Sequence, residues 1–152
     1  MAAGAQHVDD WARLRALLWA DESVDEHRAA IVGWLAGEDH YAVVALDGSA
    51  VIGFAEASIR RDHVNGCNTS PVAFLEGLAV SPAYRRRGFA RALTRAVEAW
   101  GGTRGCRELG SDADLQNDEG RALHRALGFE ERERVVFYRK LLDDAPNGST
   151  LS

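Results

Sequence analysis

Long apolar runs are missing from this chain of 152 residues. Nothing approaches the ~18 consecutive apolar residues of a membrane span, so no spanning helix is expected. The N-terminal "MAAGAQHVDDWARLRALLW" has Asp9 and Asp10 where a secretory signal needs a basic start and an apolar middle, and the expected compartment is the cytoplasm. Cysteine is scarce: Cys67 and Cys106 are too few and too isolated for a disulfide framework or a zinc site. HExxH and CxxC are absent too, and no metal is expected. Neither the GxxxxGK[ST] of a nucleotide-hydrolysing loop nor the GxGxxG of a dinucleotide fold occurs. A net charge of -5 argues mildly against a nucleic-acid surface. There is no internal repeat and no linker, so the length fits one domain over residues 1–142, with "DDAPNGSTLS" (143–152) as a disordered tail.

What is present alternates helical and strand patterns. Asp9 or Asp10 can cap a helix carrying Trp11, Leu14, Leu17 and Leu18 and ending near Trp19. A second helix is expected from Ser23 or Val24 to about Leu35, with Ile31, Val32 and Leu35 buried. "YAVVALDGSAVIGFAEASI" reads as an antiparallel pair around Asp47-Gly48. The polar "RRDHVNGCNTS" is a loop and "PVAFLEGLAV" the next strand, with Pro71 at its start. Apolar residues at helical spacing predict a helix from Gly88 to about Thr103, stopped by Gly101-Gly102. "CRELGSD" is a short strand, "NDEGRALHRALGF" a helix, and "RERVVFYRKLL" a final strand. The order implies an α/β (α+β) domain with a mixed sheet and helices on its faces.

The strand-to-helix passage "LAVSPAYRRRGFARAL" carries the strongest chemical signal. The first N–H groups of a helix lack internal partners and its dipole is positive there, so the junction attracts anions. Gly88 lets the backbone approach an anion closely, Ala90 keeps the first turn open, and Arg85, Arg86 and Arg87 can add charge-assisted bonds, as a pyrophosphate ligand would require. An isolated arginine triplet is more commonly a solvated basic turn. The strand before it and the helix after it favour anion recognition.

With Arg85-x-x-Gly88-x-Ala90 after "LAVSPAYR", the sequence resembles the GNAT superfamily of N-acetyltransferases over nearly its whole length. "ASIRRDHVNGC", "SPVAFLEGLAVSPAYRRRG", "AVEAWG", "GCRELGSD" and "ALGFEERERVVFYRK" are similar, more narrowly, to aminoglycoside 6'-N-acetyltransferases. The resemblance implies a GNAT fold, a mostly antiparallel twisted sheet whose central parallel strands splay to hold acetyl-CoA. It implies contacts to acetyl-CoA from the backbones of Leu78, Ala79 and Val80, with the Val80 N–H holding the thioester oxygen, from Arg85 to Ala90 (Phe89 among them), and from Asn117. Asn117 also suits a helix N-cap. Where many superfamily members have an acidic tyrosine, this chain has His124, which leaves His124, or water beside a surface histidine, to protonate the departing thiolate.

Glu76 interrupts an apolar run, which is costly unless the acid is paired or faces a cleft, and period-two alternation puts it beside Phe74, Leu78 and Val80. A buried ion pair is the other reading of the same residue. The resemblance adds Asp112 and Glu133 as further acids for a polycationic acceptor, Trp19 and His63 as its aromatic wall, and Glu22 at a position where the subgroup commonly has histidine. Asp112 alone also suits a turn cap, Glu133 a solvated strand charge, and Trp19 core packing. Glu76 and Asp112 are expected to deprotonate the 6'-amine through water, in direct transfer within a ternary complex. Other acceptors (a polyamine, a peptide N-terminus, a lysine) and a non-catalytic acyl-CoA sensor share these features. The resemblance further suggests a homodimer with "RVVFYRKLL" at its edge.

Overall fold

The computed structural model describes residues 1–143, so all but the first residue of the expected tail lies outside the described residues. Its elements are α1 (Val8–Leu18), α2 (Val24–Ala36), β1 (His40–Asp47), β2 (Ala50–Arg60), β3 (Val72–Val80), α3 (Phe89–Thr103), β4 (Leu109–Ser111) and α4 (Asp118–Ala126). The strands form one sheet in the order β1-β2-β3-β4. The first two pairings are antiparallel and β3 with β4 is parallel. Residues Ala2 and Val43 form a single bridge beyond β1.

Two apolar layers hold the sheet. On one face Trp11 and Leu14 of α1 and Ile31 of α2 pack on Val44, Val51 and Phe54. On the other, Leu93 and Val97 of α3 pack on Val43, Ala55, Ala57, Leu75 and Val80. Burying each such side chain contributes roughly 1.5–3 kcal/mol. α2 begins with a reciprocal capping box in which Ser23 accepts from the Glu26 N–H and Glu26 from that of Ser23.

Several sequence expectations need correction. α1 is capped by His7, not by Asp9 or Asp10; Asp10 instead accepts from the Val51 N–H. Val32 and Leu35 in α2, expected to be buried, are exposed, because His27 and Ile31 fill the inward face of that helix. Gly101 and Gly102 do not stop α3. A Cβ on Gly101 would lie 2.8 Å from that of Ala73, so the glycine lets the helix cross β3 closely, and the stop is Gly105 at φ +80°. Among the described residues no strand follows β4, although "RERVVFYRKLL" has strand propensity, since the segment meets no neighbouring strand. Val136, Phe137 and Tyr138 in it are exposed.

Candidate active site

The parallel ladder covers three pairs, Ala73 with Leu109 to Leu75 with Ser111, and then stops, while β3 runs on to Val80. The strands part, and α4 and the turn before α3 wall the gap. The result is a cleft of about 1080 Å³. Leu78, Ala79, Val80, Arg85, Arg86, Gly88, Phe89, Ala90 and Asn117 all line it. Arg87 does not; its guanidinium lies 5.5 Å from the centroid of the Tyr84 ring.

The turn has backbone geometry suited to an anion. Arg86 at φ +63° and Gly88 at φ +84° are both left-handed, and Gly88 caps α3 with no side-chain bond. Such alternation points successive N–H groups to one side. The Ala92 N–H donates to the Gly88 carbonyl at 3.0 Å, so those of Phe89, Ala90 and Arg91 precede the helical ladder. Arg85 Nε donates to the Val80 carbonyl at 3.3 Å, which ties the turn to the strand end. The Ser81 N–H donates toward β2, to Ile52, and alternation along the strand turns that of Val80 to the cleft side.

Trp19, Glu76 and Asp112 line the same cleft. Glu56 pairs with Gly77 and Ala57 with Leu75, so Glu76 is the extra residue of a β-bulge. The bulge breaks the expected alternation. Glu76 shares a face with Phe74, but Leu78 and Val80 turn to the α3 layer. Glu76 is also ion-paired: Arg60 Nη2 donates to its two oxygens at 2.8 and 3.0 Å, and Ser58 Oγ donates to Oε2. The pair is half-buried rather than deep, and Arg60 lies over the Phe74 ring at 3.5 Å.

His63 and Glu133 line a different hollow, of about 1170 Å³, which shares Ser111 to Asp114, His124 and Leu127 with the cleft. Both are exposed. Glu22 lines neither space and sits in the turn between α1 and α2. The Asn117 carboxamide oxygen accepts from the Gly120 N–H at 3.0 Å, so the residue caps α4 at the cleft wall. His124 is a half-buried lining residue, not a free surface histidine. Its Nδ1 lies 2.6 Å from the Gly120 carbonyl, which can only accept, so Nδ1 carries the proton. In the neutral ring Nε2 accepts from Ser111 Oγ at 2.7 Å.

Sequence reasoning passed over Ser58, Arg60 and Ser111, for which no sequence signal exists. It also passed over Glu56, which interrupts an apolar run as Glu76 does. Glu56 is buried between Arg15 and Trp11, and burial pushes its carboxyl up from the ordinary range while Arg15 pulls it back.

A model of the Acetyltransferase (GNAT) family matches residues 6–129. The aminoglycoside N(6')-acetyltransferase type 1 of Salmonella typhimurium is 48% identical over 134 residues, 88% of this chain and 92% of the relative. That of Serratia marcescens is 49% identical over 138 residues, covering 90% and 94%. The solved structure of AAC(6')-Iy with the bisubstrate analogue CoA-S-monomethyl-acetylneamine superposes with a TM-score of 0.87 at 44% identity, covering 93% of this chain and 97% of that one.

Proposed function

The chain belongs to the Acetyltransferase (GNAT) family, and from that premise we propose that it transfers the acetyl group of acetyl-CoA to the 6'-amine of aminoglycoside antibiotics, conferring resistance to them. The observation that carries this reading is one cleft lined both by the anion-binding turn at Arg85 to Ala90 and by Glu76 and Asp112.

The diphosphate of acetyl-CoA rests on the free N–H groups at the start of α3, with Arg85 and Arg86 beside it. The pantetheine follows β3 along Leu78 to Val80. Asn117 stands on the opposite wall. The acceptor arrives as an ammonium ion, which has no lone pair. Ser58 and Arg60 crowd Oε2 of the Glu76 carboxylate and take one site on Oε1, leaving the second lone pair of Oε1 for an ammonium. Glu76 and Asp112 hold the cation and take its proton through water. The free amine attacks the thioester carbon, a C–N bond forms, and the Val80 N–H holds the oxyanion. Collapse breaks the C–S bond and expels a thiolate. His124 can protonate it only after taking a proton at Nε2; water is the other donor. Transfer is direct. Cys67 and Cys106 lie outside the cleft and burial pushes both thiols up, against an acyl-enzyme. Trp19 forms the aromatic wall for the sugar rings, and His63 and Glu133 supply outer contacts from the adjoining hollow, whereas Glu22 lines neither space.

We further place the protein in the cytoplasm, where acetyl-CoA and incoming antibiotic meet, as one domain over residues 1–142 and as a homodimer. The exposed apolar Val136, Phe137 and Tyr138 support a second copy covering the 130–142 arm.

The test is CoA release with aminoglycosides that differ only in a 6'-amine or a 6'-hydroxyl. Release with the amine alone is expected. Equal rates on both, or release only with polyamines or peptides, overturn the assignment.

A further inference from the structure

Trp19 is held on its core side by a buried polar network that the transfer chemistry does not use. Its backbone N–H donates to the Arg15 carbonyl at 2.8 Å, closing the last turn of α1. Its carbonyl lies 3.0 Å from His27 Nε2. The Arg15 guanidinium is 4.7 Å from the indole centroid, and the His27 ring lies at 6.4 Å with 29° between the planes. Below, the indole rests on β3: a Cβ on Gly77 would stand 2.5 Å from its Cη2.

Hydrogen-bond roles in the network are fixed by elimination. Arg15 Nε can only donate, so His27 Nδ1, at 3.2 Å, accepts and the proton sits on Nε2, which donates to the Trp19 carbonyl. Glu22 approaches Nδ1 to 3.7 Å, but an ion pair there needs the proton that Arg15 excludes. Arg15 Nη1 donates to Glu56 Oε1, and Trp11 Nε1 to Oε2 at 2.9 Å. Glu56 in turn stands opposite Gly77, at the bulge that lifts Glu76 to the cleft. His27 and Glu56 are almost wholly buried, whereas Trp19 is half-buried and lines the cleft.

We propose that His27, fixed by Arg15 and Glu56, is a positioning residue that sets the Trp19 indole at the acceptor end of the cleft and thereby determines affinity for the aminoglycoside rather than for acetyl-CoA. This rests on the acetyl-transfer reading above.

Two variants one methylene apart separate positioning from packing. His27→Gln carries its amide to the Nε2 position and keeps a donor for the Trp19 carbonyl. His27→Asn keeps a partner for Arg15 but cannot reach that carbonyl. The expected result is an aminoglycoside KM raised about fivefold or more in His27→Asn and restored toward wild type in His27→Gln, with the acetyl-CoA KM within about twofold in both. A merely structural role moves the two variants alike, or both KM values together, and overturns the proposal. A variant-free measurement accompanies it: fluorotryptophan-labelled wild type, with the Trp19 resonance assigned by its loss in Trp19→Phe. Saturating kanamycin should shift that resonance, and acetyl-CoA alone should leave it in place. An active wild type whose Trp19 resonance ignores kanamycin overturns the proposal alone. A wild type that binds acetyl-CoA but acetylates no aminoglycoside overturns the underlying reading instead.

Discussion

Glu56 and Glu76 interrupt apolar runs in much the same way, in "FAEAS" and "FLEGL", yet meet opposite fates. Glu56 turns inward and is neutralised by Arg15 in the core. Glu76, displaced by the bulge, stays at the cleft with Arg60 and Ser58. The cost of burying an acid was legible in both strings, but which one reaches the cleft depends on a pairing register that no local pattern carries. Glu76→Gln keeps shape and hydrogen-bonding capacity while removing the charge. It should lower kcat by about 10²-fold or more and leave the acetyl-CoA KM within about twofold, as steady-state kinetics will read. If both parameters worsen together, Glu76 does not belong to the acceptor side.

At the scale of elements, helices and strands with two-sided packing were readable from apolar spacing, and their bounds fall within a few residues of expectation. The arm from 130 onward was not. Its strand propensity is real, but a strand exists only where another offers its edge. The loop between β2 and β3 was rightly expected to be irregular, and what orders it was hidden. Glu108, just before β4, accepts from the N–H groups of Asn68 and Thr69 at 2.9 and 2.7 Å and from the Thr69 hydroxyl. That hydroxyl, with the loop amides, holds the Glu108 carboxyl below the usual range. The clamp therefore stabilises the fold above the ordinary carboxylate pKa and is lost as pH falls through the lowered value. Thermal melts of wild type and Glu108→Gln should differ most at neutral pH and converge in acid, with faster exchange of the Asn68 and Thr69 amides in the variant. A gap that persists unchanged at low pH contradicts this.

For the whole molecule, the sheet divides the labour. One face packs α1 and α2 and ends at Trp19; the other packs α3, whose first turn lines the cleft. The two meet where β3 outruns β4. The strand-to-helix turn at Arg85 to Ala90 was legible in the sequence because it is a contiguous motif, whereas the adjoining hollow, which takes His63 and Glu133, is assembled from several separated segments. The arm bears on assembly: ending the chain after Arg134 removes Val136, Phe137 and Tyr138 and should convert a dimer into a monomer in sedimentation velocity. A full-length chain that sediments as a monomer contradicts the proposed dimer.

The proposed function depends most directly on the turn at Arg85 to Ala90 gripping a diphosphate. Isothermal titration of the full chain with CoA and with pantetheine, which lacks the diphosphate, tests it. Saturable one-to-one uptake of CoA, with pantetheine bound at least about 10²-fold more weakly, is the predicted result. Equal binding of the two, or no uptake of CoA by folded protein, would contradict it.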